Sequence, residues 1–126
     1  MKTQRTITPI LVALFLIGCA SIQPGNDPVV VNAERSTNVA FETINTFLQI
    51  EYTNQAWVKA NAPQIHTYAN YLRGHAKQWV ASATDLIGAY KHNRTPENKA
   101  SLQTAVAVLT TAEVQAQKYT AQIGQH

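Results

Sequence analysis

The stretch that decides the fold runs from Pro63 to His92, PQIHTYANYLRGHAKQWVASATDLIGAYKH. Ile65, Leu72, Trp79 and Leu86 recur every seven residues, and Ala69, Ala76, Ala83 and Tyr90 repeat that spacing four residues on. Side chains three, four and seven apart share one face of an α-helix, so the two rows form a single apolar stripe. A row of large side chains beside a row of small ones lets neighbouring helices approach closely. The segment therefore predicts a helix over 63–92 with partners on that stripe.

Both flanks supply such partners. Upstream, Asp27-Pro28 is a helix start, because the carboxylate can cap free amides and proline suits the first turn. Ala40, Phe41, Ile44, Phe47, Leu48 and Tyr52 follow at helical spacing and predict a first helix over 28–60. Val29-Val30-Val31 is β-branched, but the chain offers no second strand to pair with it. Downstream, Thr95-Pro96-Glu97 repeats the start signal. Leu102, Leu109, Ala116 and Ile123 lie seven apart, supported by Ala105, Val106, Ala112 and Tyr119, with Gly124 as the stop. That predicts a third helix over 96–123. Short connections make consecutive helices antiparallel neighbours, so residues 28–126 are expected to form an all-α, up-down-up antiparallel three-helix bundle roughly 40–50 Å long. The register across the two turns sets Glu51 opposite Arg73 and His75 near Glu113, as structural pairs.

The chain has 126 residues, room for one ordinary domain. Its formal charge of +3 suggests a polyanionic partner, but Lys2 and Arg5 lie in the first 18 residues, and the remainder holds eight Lys/Arg against seven Asp/Glu. A near-neutral domain with scattered charges lacks the footprint of a nucleic-acid binder. The single cysteine excludes an intramolecular disulfide and a multi-thiolate metal cage.

That cysteine closes the N-terminal segment. Lys2 and Arg5 lead into the apolar run Ile10–Ile17, followed by Gly18 and Cys19. Eight apolar residues fall far short of the roughly 20 needed to span a bilayer, and the arrangement fits a secretory signal peptide. Leu16-Ile17-Gly18-Cys19 resembles the lipobox of bacterial lipoproteins. The resemblance covers only the first 20 or so residues, and implies cleavage between Gly18 and Cys19, removing residues 1–18. It further implies a diacylglyceryl group on the Cys19 thiol and an acyl chain, such as palmitate, on its new N-terminus. Ala20 and Ser21 follow with no Asp after the cysteine, which by that resemblance implies the outer membrane, facing the periplasm. Residues 19–27, with Pro24-Gly25, read as a lipidated flexible tether.

Elsewhere the chain is poor in chemistry. His66, His75, His92 and His126 show no metal-ligand spacing, no Gly-rich phosphate loop or Gly-x-Ser-x-Gly occurs, and the one thiol is committed to lipid. The expectation is a protein that is not an enzyme, with no metal and no cofactor beyond the covalent lipid. Asn93-Arg94-Thr95 matches a glycosylation pattern but reads better as a turn and helix cap.

Trp57 and Tyr71 map to the end of the bundle away from the membrane and are candidate contact residues. Tyr68, Trp79 and Tyr90 fall on the core stripe. Lys91, Arg94 and Lys99 gather at the second turn, which returns toward the membrane, as a basic cluster for anionic headgroups. The expected function is a lipid-anchored, non-catalytic interaction or scaffold module with a protein partner in the envelope. Alternatives are a phage- or prophage-type lipoprotein that blocks an outer-membrane receptor, and a binder of small hydrophobic ligands near Tyr68, Trp79 and Tyr119. No nucleic-acid partner is expected. A homo-oligomer is a further option, through the Thr/Asn/Gln-rich face of the first helix.

Overall fold

The computed structural model describes residues 27–126. The signal peptide over 1–18, the Gly18–Cys19 cleavage site, the lipidated Cys19 and the tether up to Asn26 lie outside the described residues. Those described are all-helical and contain no strand: α1 is Pro28–Thr53, α2 Gln55–Asn61, α3 Pro63–His92 and α4 Pro96–Ile123. None of these helices is long and apolar enough to cross a membrane.

The helix starts follow from the capping residues. Asp27 is extended and its carboxylate accepts the Val29 N–H at 2.9 Å, with Pro28 in the first turn. Thr95 does the same for α4, accepting the Asn98 N–H at 3.1 Å ahead of Pro96. Each cap satisfies an amide that the helix itself cannot.

The expected 28–60 helix is two helices. The chain leaves the helical path at Asn54, with φ −106° and ψ 19°. The Asn54 N–H still bonds the Ile50 and Glu51 carbonyls, and side chains add second hydrogen bonds to carbonyls near this end. Asn54 Nδ2 donates to the Ile50 carbonyl at 2.8 Å, Thr53 Oγ1 to Gln49 at 3.0 Å, and Arg73 Nη2, from α3, to Leu48 at 3.2 Å. Such polar side chains compete with helix continuation, and a Thr-Asn pair at 53–54 concentrates the effect. Past the break, α2 buries Val58 completely and packs Trp57 against the core.

α1, α3 and α4 each pack on the other two. Buried positions on α1 alternate by three and four residues: Val30, Ala33, Thr37, Ala40, Ile44, Phe47 and Glu51. Two members of the stripe expected from sequence are outside it, since Phe41 is 40% exposed and Tyr52 72%. Thr37 and Glu51 hold core positions instead. On α3 the buried set is Ile65, Ala69, Leu72, Ala76, Ala83, Ile87 and Tyr90. Residues 18 apart lie five full turns apart, so Ile65 aligns with Ala83, Ala69 with Ile87 and Leu72 with Tyr90. The strict seven-residue row drifts by about 20° per repeat. Trp79 and Leu86 are therefore only half-buried, and Ile87 takes the place read for Leu86. α4 keeps its row: Leu102, Leu109, Ala116 and Ile123 are all buried.

The ends of the helices identify their neighbours. Glu51 near the end of α1 meets His66 and Arg73 near the start of α3. At the opposite end Lys91 of α3 reaches Glu34, and Arg94 beyond it reaches Asp27. Phe47 of α1 meets Tyr119 of α4 with ring centroids 6.2 Å apart. The buried apolar residues divide into a large cluster around Ile44, Phe47, Leu72 and Leu109 and a smaller one around Val30, Ile87 and Leu102. Thr37 lies on α1 between Ala33 of the smaller cluster and Ala40 of the larger.

Candidate functional site

α3 carries an aromatic ridge on its outer flank. Tyr71, His75 and Trp79 are four residues apart, which places them on successive turns of one helix face. The Tyr71 and His75 rings are 4.4 Å apart between centroids, and Trp79 is 5.6 Å from each. Tyr68 continues the row inward, 6.1 Å from Tyr71, and meets Tyr119 edge-on at 5.5 Å and Phe47 at 6.2 Å. The ridge thus rests on the core at both ends, through Tyr68 and the half-buried Trp79, and opens to solvent between them, where Tyr71 is 48% exposed. Burial, with Tyr71 and Tyr119 nearby, raises the Tyr68 hydroxyl above the ordinary tyrosine range.

A groove runs beside this ridge, with Thr104, Ala107, Val108, Thr111 and Ala112 of α4 as its second wall. Its lining carries no formal charge. The Thr104 and Thr111 hydroxyls donate to the Ala100 and Ala107 carbonyls, each at 2.9 Å, which leaves their oxygens free as acceptors. A larger open groove, about 690 Å³, follows the α1–α4 seam along Val29, Ala33, Leu102, Val106 and Val114. It is the roomier of the two but has no aromatic anchor. Aromatic side chains supply most contact energy at recognition surfaces, so the smaller groove is the better candidate.

Several sequence expectations are redrawn by these positions. Trp57 and Tyr71 do not share a cluster. The Asn54 break swings α2 over the end of the helices, where Trp57 stacks on His126 at 4.0 Å and 21° between ring planes. Tyr71 instead belongs to the α3 ridge. His75 and Glu113 form no pair: His75 Nδ1 donates to the Tyr71 carbonyl at 2.8 Å, and Glu113 Oε1 accepts from Gln117 Nε2 at 3.4 Å. Both bonds are four residues long within one helix. Such partners stay in reach whatever the neighbouring helix does.

The basic turn is not a row of free cations either. Lys91 Nζ lies 2.5 Å from Glu34 Oε1, and Arg94 Nε 3.0 Å from Asp27 Oδ2. The Val29 amide does most to hold the Asp27 carboxyl below the usual carboxylate range; burial opposes it, and Tyr90 and Arg94 assist. Lys99 makes no ion pair among the described residues.

Glu51 sits at the other end, fully buried. Arg73 Nη2 donates to Glu51 Oε2 at 2.5 Å and His66 Nδ1 to Oε1 at 2.6 Å. Burial pushes the Glu51 carboxyl up, but the hydrogen bonds and charges of His66 and Arg73 outweigh it, and the net shift is downward. Sequence reading found Glu51 and Arg73 but not His66. The signal was present: His66 and Arg73 are seven apart on α3 and so face the same neighbour. Among the described residues no group of three or more His, Cys, Asp or Glu side chains gathers to hold a metal ion.

No protein family, curated protein or solved structure matches this chain.

Proposed function

We propose that the protein is a lipid-anchored, non-catalytic interaction module of the bacterial cell envelope. In this reading Cys19 carries the lipid in the outer membrane, and residues 20–27 tether an up-down-up bundle in the periplasm. α1 with its α2 extension, α3 and α4 are the bundle's three legs. The lipobox-like Leu16-Ile17-Gly18-Cys19 supports the anchor. Two or more acyl chains give stable attachment where one gives only reversible binding, each buried methylene adding about 0.8 kcal/mol.

The observation that carries the interaction role is the exposed Tyr71–His75–Trp79 ridge beside an uncharged groove. Adjacent rings with Tyr71 and His75 exposed, when the same helix has a complete apolar core face, are better explained by a partner than by folding. The partner is taken to be a protein of the envelope.

Crosslinking in the native envelope tests both halves. A photoreactive residue in place of Val108, on the far wall of the groove, should capture a discrete protein partner. Tyr71→Ala with Trp79→Ala should remove that product without loss of helix content. Cys19→Ser should release the protein from the membrane fraction or leave it as an uncleaved precursor. A Cys19→Ser protein that matures and stays membrane-bound like the parent would overturn the anchor. Crosslinking indifferent to the two aromatic substitutions would overturn the ridge as the contact.

A further inference from the structure

α4 carries two seven-residue rows on opposite sides. Leu102, Leu109, Ala116 and Ile123 are buried in the core, whereas Ala100, Ala107, Val114 and Ala121 are all exposed. Such a row is how one helix seats on another, and the outer one faces away from the chain's own core. α1 repeats the pattern beside it with Asn32, Val39 and Thr46, exposed and seven apart. Both rows border the α1–α4 seam. Asn32, Ala107 and Val114 line the larger groove, and Thr46 and Ala121 line a second groove further along. No charged side chain lines the larger groove, and Val39 and Val114 stand 44% and 59% exposed.

The charges on this face are self-complementary. Arg35 and Glu42 flank Val39 on the outer side of α1, both exposed, and neither forms an ion pair among the described residues. Seven residues separate them, about 10 Å along the helix, beyond the reach of pairs three or four residues apart. A second α1 laid antiparallel across the first, about a two-fold axis at Asn38–Val39, puts Arg35 of each copy opposite Glu42 of the other. α4 arrives at the same axis. It runs in the same direction as α1, and level residues are 72 positions apart, as with Phe47 beside Tyr119 and Val30 clustered with Leu102. The axis therefore crosses α4 at Thr110–Thr111, the midpoint of the row from Ala100 to Ala121. There it sets Val114 of one copy against Ala107 of the other, and Ala100 against Ala121. Lys118 comes opposite Gln103 and Lys99 opposite Gln122, so like charges do not meet.

We infer that the α1–α4 face is the docking site for a second copy of this chain, which packs on it antiparallel to form a symmetric dimer. One axis satisfies both the ion pairs of α1 and the row of α4, although the two helices are separate stretches of sequence. The facing helices overlap over about 35 Å and the pair is about 20 Å wide, which amounts to roughly 700 Å² per chain. A standard stable interface buries about 800 Å² on each side, so the face is large enough. A patch that matches itself under a two-fold is the usual basis of a closed dimer. The aromatic groove opens on the other flank of α4, along Thr104, Val108 and Ala112, and the dimer depends neither on it nor on the lipid anchor.

Sedimentation equilibrium of the full-length protein in density-matched detergent micelles reads the mass of the protein alone and tests the dimer. The parent should sediment with twice the mass of one chain at about 100 μM. Arg35→Glu and Glu42→Arg, each made alone, set like charges against one another and should weaken association about tenfold or more. The two reversals together restore opposite charges and should recover most of the loss. Because the pair does not form within one helix, that recovery reads a contact between chains. Val114→Lys should weaken association by a similar factor, with helix content by circular dichroism unchanged. Tyr71→Ala with Trp79→Ala should leave the mass as it is, which separates this face from the ridge. A parent of single-chain mass at that concentration would overturn the dimer. So would charge reversals that have no effect or do not compensate, or a dimer lost with the two ridge substitutions.

Discussion

Thr37 and Glu51 are the two polar residues on the buried stripe of α1, and their situations are opposite. The Thr37 hydroxyl is buried with no hydrogen-bond partner among the described residues, at 3% exposure. An unmade bond of this kind costs about 1–3 kcal/mol, and valine has nearly the same shape. Thr37→Val should therefore raise stability by about 1 kcal/mol in urea unfolding, with an unchanged denaturant slope. Glu51 is fully satisfied, and removing a partner is the damaging change. Arg73→Ala leaves a buried carboxylate with His66 alone and should cost about 3 kcal/mol. Replacing Glu51 and Arg73 together by apolar residues should recover most of that loss, because a buried pair is worth little beyond its own desolvation. The sign of the pH dependence follows from the lowered Glu51 carboxyl. Near its ordinary value the unfolded chain binds the proton more readily than the folded one. The stabilisation is thus complete above the ordinary glutamate range and is lost as pH falls through the lower folded value. Thermal melts should show the midpoint falling on acidification through that window, and the Glu51→Gln protein should lack this component.

At the scale of the helix, α3 shows what periodicity can and cannot convey. The seven-residue rows correctly announced a long helix from Pro63 to His92, because an apolar stripe and a proline in the first turn are local properties. They misplaced Trp79 and Leu86, since a helix of 3.6 residues per turn rotates a strict seven-residue row out of a straight core. Tyr71, His75 and Trp79 share the flank through their four-residue spacing, and assigning Trp79 to the core stripe and Tyr71 to the end of the bundle hides the ridge as a unit. Gly74 and Gly88 lie inside α3, and a Cβ at either position would meet nothing within 4 Å. Gly74→Ala and Gly88→Ala should each stabilise by about 1 kcal/mol, the cost of glycine in a helix interior, as read by shifts in the urea midpoint. The break at Asn54 is harder to read in advance. The Thr53 and Asn54 side chains are visible in sequence, but the third side-chain bond near this end of α1 comes from Arg73, 25 positions downstream of the Leu48 carbonyl that accepts it.

For the molecule as a whole, the distribution of charge now has a structural account. Lys91 and Arg94 are matched by Glu34 and Asp27, so the second turn presents little net charge to a membrane. Exposed pairs of this type add at most about 1 kcal/mol to stability, but they cancel much of the field that would draw the turn to anionic lipid. A version of the protein beginning after Cys19 should therefore show weak binding to vesicles containing anionic lipid in a sedimentation assay. Glu34→Gln with Asp27→Asn, which uncovers both cations, should strengthen it. Membrane attachment in this view belongs to the lipid, and the folded part is left to its partner. The sequence by itself determined the helical class, the capped starts of α1 and α4 and the apolar rows that bury α4, because each depends on residues within a few turns of one another. Only the tertiary structure decided that α1 stops at Asn54, that Trp57 stacks on His126 away from Tyr71, and that His66 joins Arg73 at Glu51. Those outcomes turn on which distant groups arrive within hydrogen-bond or stacking distance, and that is set by how the helices rotate against one another, a quantity that no single helix encodes.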